Sequence, residues 1–421
     1  MKRAFLLLIL FMLVVAPAAG NAQDDQLQIV ASFTILEDVV RNVTGDAANV
    51  STLMPVGADP HTFEPTPRDI TAVADADVVF TNGAFFEEGL LEAIENADTE
   101  MNIVEVSACV NIIAFGAGHG HGDEDHAEGE EHGDEDHADG EAVAMAEGMS
   151  AIAEMCAAHE AQFEAIHEMR EEEHEEGEEH GDEDHAHEHG GEAMGALYTL
   201  ECGEGHGHGE EEHEEGEEHG DDDHEEGEEH SDEDHAHEHG EGSCDPHVWM
   251  QPHNVMRWTM VIRDTLVELD PANAETYATN ADAYLLELDA LMHDFVMPAV
   301  ETVPEENRIL VTNHESMGYF ANRFEFEVVT TVLPGGTAVE PSVAEVAQII
   351  DTINEEGVPA IFAETTVSDD IAEQIAAETG AELFVLFSGS LSDADGPATT
   401  YVDYITYNVT TIVEALGGSV Q

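Results

Sequence analysis

The sequence predicts an α/β protein of two lobes, each with a parallel β-sheet flanked by helices, joined by one long helix. Three observations lead to this fold class. Short β-type runs alternate with amphipathic helical segments in both halves of the chain, and a helical stripe of large apolar residues lies between the halves. A long stretch rich in His, Asp and Glu interrupts the first half and is expected to be a disordered insertion in the N-terminal lobe.

Residues 1–22 have the pattern of a secretory signal peptide. Lys2 and Arg3 precede the apolar run "AFLLLILFMLVVA", and the small residues of "PAAGNAQ" follow it. No later run reaches the roughly 18 apolar residues typical of a membrane-spanning helix. The mature chain is therefore expected to be periplasmic or otherwise extracytoplasmic.

Export makes the four cysteines disulfide candidates. The preferred pairing joins Cys109 to Cys244 and Cys156 to Cys202, since this nested arrangement brackets the His-rich region and staples a hairpin within it. The other pairings stay open at this stage. A zinc site built from cysteines is disfavoured, because no Cys-x-x-Cys spacing occurs.

Eight β-type runs define the two sheets. Residues 23–115 and 244–273 form the predicted N-terminal lobe, with the runs "LQIVASF", "NVSTLMP", "DADVVFTN" and "NIVEVSA". Residues 303–421 form the C-terminal lobe, with "RILVTN", "FEVVTTV", "PAIFAE" and "ELFVLF". Strands that alternate with helices pair in parallel, so each set of four predicts one parallel sheet.

Residues 274–302 are expected to form the helix that joins the lobes. Large apolar residues share one helical stripe there, namely Tyr277, Tyr284, Leu288, Leu291 and Phe295. In the second lobe, Ser342 and Glu345 form a capping-box pattern that opens a helix, and Gly357 is placed to close it.

The composition favours cations as partners. The chain has 96 acidic and 9 basic residues, and a formal net charge of −87 excludes nucleic acid and anionic membranes on electrostatic grounds. Twenty-one of the 26 histidines lie between His119 and His239, within the predicted insertion at 116–243. Histidine is largely neutral near pH 7 and binds transition metals in that form.

The insertion contains two acidic repeats and one apolar stretch. The repeats at 171–190 and 210–230 lack the apolar residues to form a core, and they are expected to be disordered without metal. The insertion is interpreted as a weak collector of metal ions, the alternative being a solvated acidic linker. In the middle of the insertion, a stripe typical of a packed helix favours packing over a copper site; it consists of Met145, Met149, Ile152, Cys156, His159, Phe163 and Ile166.

Five histidines remain outside the insertion. His61 in "PVGADPHTFEPTP", His247 in "CDPHVWMQPHN" and His314 in "LVTNHESMGYF" lie in turns or at strand ends, where α/β proteins gather ligand sites. These three are the candidate metal ligands. His253 and His293 are interpreted as structural residues of a helix start and a helix face.

Several motifs together resemble a known family. The motifs "GADPHTFEPTPRD", "DPHVWMQP", "HESMGYFANRF", "EPSVAEVAQIIDTI" and "FAETTVSD" are similar to those of the extracytoplasmic solute-binding receptors of zinc and manganese ABC importers. The match covers about residues 27–115 and 244–420. The resemblance implies that His61, His247 and His314 bind metal between the lobes. It also implies delivery to a membrane permease, and we expect the receptor to be a monomer.

The resemblance further implies a zinc-type receptor with a His-rich loop. Three imidazoles suit Zn²⁺, whereas Mn²⁺ prefers more carboxylate oxygen, and manganese-type members typically have glutamate where His314 stands. Many members also have a metal-binding carboxylate where this chain has Gly389. The fourth ligand is therefore left open between water, a residue of the insertion and a nearby acid. Glu364 is interpreted as a partner that orients a histidine.

Three other functions are kept as alternatives. One is a manganese-type receptor, and another is a secreted zinc buffer or adhesin without a transporter. The third is a zinc hydrolase, since a three-histidine site with an open position can activate water. No H-E-x-x-H pattern is present, and we therefore expect no enzymatic activity.

Overall fold

A computed structural model describes residues 26–95, 101–115, 141–175, 244–334 and 336–420. The signal peptide predicted for residues 1–22 lies outside these ranges, as do the acidic repeats beyond residue 175. Within the described ranges, no helix is long and apolar enough to cross a membrane.

The N-terminal lobe contains one four-stranded parallel sheet. Its strands are β1 (Gln28–Ala31), β2 (Asn49–Thr52), β3 (Val78–Thr81) and β4 (Ile103–Glu105), in the order β2-β1-β3-β4. Helices α1 (Thr34–Thr44), α2 (Pro67–Ala74) and α3 (Glu88–Glu95) connect or follow them. All four residues of β3 are buried, as expected for a strand covered on both faces.

Part of the insertion is a long helix, α4 (Glu141–Glu175), which packs against α5 (Pro252–Leu269) and the 3₁₀ turn Val106–Cys109. The predicted apolar stripe supplies the contact, because Cys156, His159 and Ile166 are buried. Ile152 departs from the prediction and is 37% exposed. The packed helix predicted in the middle of the insertion is therefore present.

The predicted disulfide pairing is wrong. Cys109 is bonded to Cys156 and not to Cys244. Because Cys156 is already bonded, it cannot pair with Cys202. The packing of α4 beside the 3₁₀ turn brings the two Cα atoms to 5.2 Å, although the residues are 47 apart in sequence. Cys244 is also disulfide-bonded, and its backbone forms an antiparallel bridge with Ala114. The chain therefore enters and leaves the insertion at one point.

One long helix joins the lobes, as the sequence predicted. It consists of α6 (Ala274–Ala290), a π-helical turn (Leu291–Val296) and α7 (Met297–Glu301) without interruption. The predicted stripe is its buried face, since Tyr277, Tyr284, Leu288 and Leu291 are buried and Phe295 packs against the same core.

The C-terminal lobe repeats the architecture of the first. Its strands are β5 (Ile309–Thr312), β6 (Glu327–Thr331), β7 (Ala360–Glu364) and β8 (Glu382–Leu386), in the order β6-β5-β7-β8 and all parallel. Its helices are α8 (Gly318–Phe324), α9 (Val343–Glu356), α10 (Asp370–Thr379) and α11 (Tyr401–Ala415). The capping box of Ser342 and Glu345 is formed, and Gly357 ends α9 with a φ of 68°.

The two lobes share one hydrophobic core. Trp249 is fully buried in it, with ring centroids 4.9 Å from those of Phe33 and of Phe86. Its indole N–H donates a hydrogen bond to the carbonyl of Ser388 in the other lobe (2.9 Å). The hydroxyl of Tyr401 donates in turn to the carbonyl of Trp249 (2.8 Å). These contacts fix the two lobes relative to each other.

Candidate metal centre

The three candidate histidines meet where the carboxyl ends of the two sheets face each other. In both sheets the strand order reverses at the central pair, β1 with β3 and β5 with β7, and loops diverge at such points to leave a crevice. His314 follows β5 by two residues, and Glu364 is the last residue of β7. In the other lobe, the Asn82 amide follows β3 and donates to the carbonyl of Pro246 (3.0 Å), which holds the loop of His247.

Two of the histidines lie in the same local motif. Each follows Asp-Pro, with Asp59 before His61 and Asp245 before His247. Both aspartates accept a hydrogen bond from the backbone N–H of the histidine, at 3.0 and 2.9 Å. Such a turn fixes the backbone of the histidine, because the aspartate side chain closes it two residues on.

The ring of His247 is oriented by a buried carboxylate. Oδ1 of Asp245 lies 2.8 Å from Nδ1 of His247, and both side chains are 2% exposed. A carboxylate at Nδ1 holds the ring proton there, and the lone pair of Nε2 then remains for a metal.

His314 has the same kind of partner from another strand. Oε2 of Glu364 lies 2.9 Å from its Nδ1, and Oε1 accepts from its backbone N–H (3.2 Å). Burial alone lowers the pKa of His314, but the charge and hydrogen bond of Glu364 outweigh burial and raise it. The pKa of Glu364 is lowered although burial raises it, since the nearby His314 stabilises the carboxylate. Glu364 thus lies where an orienting partner is needed.

The Nε2 atoms of the three rings converge. Nε2 of His247 lies 3.1 Å from Nε2 of His61 and 3.2 Å from Nε2 of His314. Nitrogens around a tetrahedral Zn²⁺ with Zn–N bonds of about 2.0–2.1 Å lie about 3.3 Å apart. Two unprotonated ring nitrogens at this distance repel each other through their lone pairs, and a shared cation removes that repulsion. The structure therefore brings all three predicted residues together in a metal-like geometry.

A small cavity adjoins the three histidines. It is lined by Phe115, Glu315, Leu333, Pro334, Gly336 and Thr337 in addition to the histidines. Its free space of about 20 Å³ is enough for one water-sized group. The cavity thus leaves room for one small additional ligand, such as a water molecule, beside the three nitrogens.

Gly389 faces the loop that carries His61. A Cβ atom at this position would lie 2.6 Å from Cγ and 2.9 Å from Cδ of Pro60. Neither atom can move far, because both belong to a ring fixed to the backbone. The backbone arrangement thus excludes a carboxylate side chain at position 389, where the family resemblance implies one.

We expect Gly389→Ala to weaken metal binding by about 10-fold, because the methyl group displaces Pro60 and with it His61. Competition with a chromophoric chelator measures the affinity. Gly396→Ala is the matched control, since its Cβ is equally crowded but against Ser392 (2.6 Å), outside the cavity lining. Equal affinities of the Gly389→Ala variant and the unmodified chain would contradict the expectation.

Sequence reasoning missed two features of this region. Asp245 was not identified, although the repeated Asp-Pro-His motif was a signal for it. His253 and His293 were interpreted as structural residues of separate helices, but the structure groups them with His167 of α4 in a second cluster. Nothing in the local sequence of His167 indicates that it reaches the other two.

Comparisons with known proteins agree with this architecture. The family model ZnuA, described as zinc-uptake complex component A, periplasmic, matches residues 29–415. The manganese-binding lipoprotein MntA of Halalkalibacterium halodurans is 25% identical over 403 residues, which are 95% of this chain and 92% of that protein. The iron-binding protein YfeA of Yersinia pestis is 25% identical over 405 residues, covering 96% and 91%.

A solved structure has the same fold. The periplasmic zinc-binding protein TroA from Treponema pallidum matches with a TM-score of 0.58, and the match covers 93% of this chain and 99% of that one. The sequence identity is 19%, so this likeness shows the fold alone.

Proposed function

The chain belongs to the ZnuA family of periplasmic zinc-uptake components, and on this premise we propose that it is a high-affinity zinc receptor of an ABC importer. The family consists of metal-binding solute receptors and not of enzymes, which sets the hydrolase alternative aside. The choice of zinc, the ligand set, the permease as recipient and the role of the insertion are the proposed parts.

The convergence of three imidazole nitrogens carries the choice of zinc. His61, His247 and His314 present Nε2 atoms 3.1–3.2 Å apart along the two measured pairs, and two of the rings have carboxylates at Nδ1. A three-nitrogen set with one open position suits tetrahedral Zn²⁺, whereas Mn²⁺ favours oxygen ligands and higher coordination. Zinc is bound as cargo, and the ligands therefore both hold it and release it.

Manganese is the second candidate. The relative named as manganese-binding favours it, and a carboxylate residue, Glu315, is among those that line the cavity. His314→Glu separates the two, because it replaces one nitrogen by an oxygen donor. We expect the unmodified chain, purified without added metal, to hold zinc that excess Mn²⁺ does not displace. In the His314→Glu variant, we expect Mn²⁺ to displace the bound zinc.

Metal analysis of the purified protein and competition titrations measure this preference. Ser316→Ala, within the same motif as His314 but outside the cavity lining, is the control and should behave as the unmodified chain. Manganese in the purified chain, or displacement of its zinc by Mn²⁺, would reject the zinc assignment and leave the manganese receptor.

Delivery to a membrane permease distinguishes the receptor from a secreted buffer. Cells that lack the protein should lose zinc uptake at scarce zinc and keep it at ample zinc. Re-expression of the His247→Ala variant should not restore uptake. Unchanged uptake without the protein would favour the buffer or adhesin.

The His-rich stretches collect zinc for the site. They flank α4, and the chain enters and leaves them at Ala114 and Cys244, next to Phe115 and Asp245 of the metal centre. A tethered set of weak ligands raises the local metal concentration near a site to which it is attached. The solvated acidic linker is the remaining alternative.

The collector role is tested with a full-length variant in which glutamine replaces all histidines of residues 119–137 and 180–239. We call it the glutamine variant. It keeps the chain length, the four cysteines and α4. We expect it to lose several weak zinc equivalents and to keep the tight site at His61, His247 and His314, since these three residues are unchanged. Calorimetry counts both classes, and loss of the tight class would place an insertion residue in the primary site.

A further inference from the structure

A second cluster of three histidines lies on three helical elements. His167 is on α4, His253 is the second residue of α5, and His293 is in the π-helical turn of the linking helix. One ring nitrogen from each lies within 4.8 Å of the others, and the ring centroids are 4.9–5.6 Å apart. Turns of π-helix often occur at functional sites.

A buried carboxylate faces this cluster. Asp289 is 3% exposed and precedes His293 by one helical turn. Its Oδ1 lies 3.3 Å from Nδ1 of His167 and 3.5 Å from Nε2 of His293. Its Oδ2 accepts a hydrogen bond from the guanidinium of Arg170 (3.2 Å). Arg170 thus orients the carboxylate so that its other oxygen points at the histidines.

Several buried atoms of the cluster lack hydrogen bonds within the part of the chain that the structure describes. They are Nε2 of His253, Nε2 of His293 and Oδ1 of Asp289. The last two lie 3.5 Å apart, yet they do not form a hydrogen bond. Buried polar atoms are nearly always paired, because leaving them unpaired is costly. Three such atoms at one place require a common explanation.

Aromatic packing alone does not supply that explanation. Phe163 lies edge-to-face with His167 and His253, with centroids 4.5 and 5.0 Å away. Phenylalanine or leucine in place of His253 would fill this space as well, without burying an Nε2 atom that lacks a hydrogen bond within the described residues. A bound cation, by contrast, accepts the lone pairs of the imidazoles and of the carboxylate together.

We propose that His167, His253 and His293, with Asp289 as oxygen donor, form a second zinc site that fastens helix α4 of the insertion to α5 and to the linking helix. Three nitrogens and one carboxylate oxygen are a ligand set that suits tetrahedral Zn²⁺. The ligands come from both the insertion and the scaffold, so the ion stabilises their contact. This site does not depend on the function proposed for the first.

Zinc stoichiometry of the full chain tests the proposal. The glutamine variant is used, because it lacks most of the weak histidine ligands that would obscure the count. Titration with Zn²⁺ against a chromophoric chelator should give two equivalents. His293→Ala and, separately, His167→Ala should each leave one equivalent, and His314→Ala should leave the other.

His159→Ala is the matched control. His159 is a buried histidine of the same helix, but its Nε2 contacts Asp264 (2.7 Å) and it is not part of the cluster. It should leave two equivalents. A single equivalent in the glutamine variant that His314→Ala removes would overturn the proposal, as would two equivalents after His293→Ala.

A second test leaves His167, His253 and His293 unchanged, and it therefore remains valid if the alanine variants do not fold. In the glutamine variant with His314→Ala, hydrogen exchange of α4 amides is followed with and without one equivalent of Zn²⁺. We expect zinc to slow exchange in α4 by at least about 10-fold, and Co²⁺ in its place to give the intense visible absorption of a tetrahedral site. Unchanged exchange with no such absorption would show that the cluster does not bind the ion.

Discussion

Alanine in place of His247 is expected to weaken tight zinc binding by more than about 100-fold, because even the loss of a partner that orients a ligand costs roughly 10- to 100-fold. His247 is central to the set, since its Nε2 is the atom that lies 3.1 and 3.2 Å from the other two. Its loss leaves only two nitrogens in the set. Chelator competition at pH 7 measures the affinity.

Asp245→Asn is expected to weaken zinc binding less than His247→Ala does. It keeps the shape of the Asp-Pro-His turn but replaces the carboxylate that holds the proton on Nδ1 of His247. The affinity should fall between those of the unmodified chain and His247→Ala. An unchanged affinity in the alanine variant would remove His247 from the ligand set and with it the zinc assignment.

Trp249→Ala is expected to lower the free energy of unfolding of the metal-free protein by about 3–5 kcal/mol, the usual cost of deleting a large buried aromatic ring. The side chain is fully buried between Phe33 and Phe86, and its N–H is bonded to the opposite lobe. The cavity left behind lies in the core that both lobes share. Urea unfolding followed by circular dichroism gives the stability.

Trp249→Phe separates packing from hydrogen bonding. It keeps most of the ring but loses the N–H that donates to Ser388, so a smaller loss of about 1–2 kcal/mol is expected. A loss below about 1 kcal/mol in the alanine variant would mean that the shared core repacks around the deleted ring. The lobes would then be less rigidly joined than the contacts of Trp249 indicate.

Local patterns predicted most of the fold. The eight strands were visible because buried parallel strands have short runs of β-branched and aromatic residues, as in "VVF" at 78–80. The linking helix was visible from the spacing of Tyr277, Tyr284 and Leu288, and the start of α9 from Ser342 and Glu345. The meeting of His61, His247 and His314 followed from the family motifs and the topology of the sheets.

Two of the failures depend on where α4 packs. The apolar stripe predicted that this helix buries one face, but no local pattern states which surface it covers. That surface decides that Cys156 bonds to Cys109, and it also decides that His167 reaches His253 and His293. Gly389 is a similar case, since its closeness to Pro60 joins residues far apart in sequence.

The backbone bridge between Ala114 and Cys244 lets the insertion vary in length without changing the geometry of the metal centre. Because the bridge already holds Ala114 and Cys244 together, residues added to or removed from the acidic repeats between them are expected to change mainly the entropy of loop closure. That entropy grows slowly, by about 0.6 kcal/mol for each doubling of length. Repeats such as those at 171–190 and 210–230 can therefore multiply or disappear over evolution with little effect on folding, and the amount of metal that one molecule gathers can be adjusted by copy number.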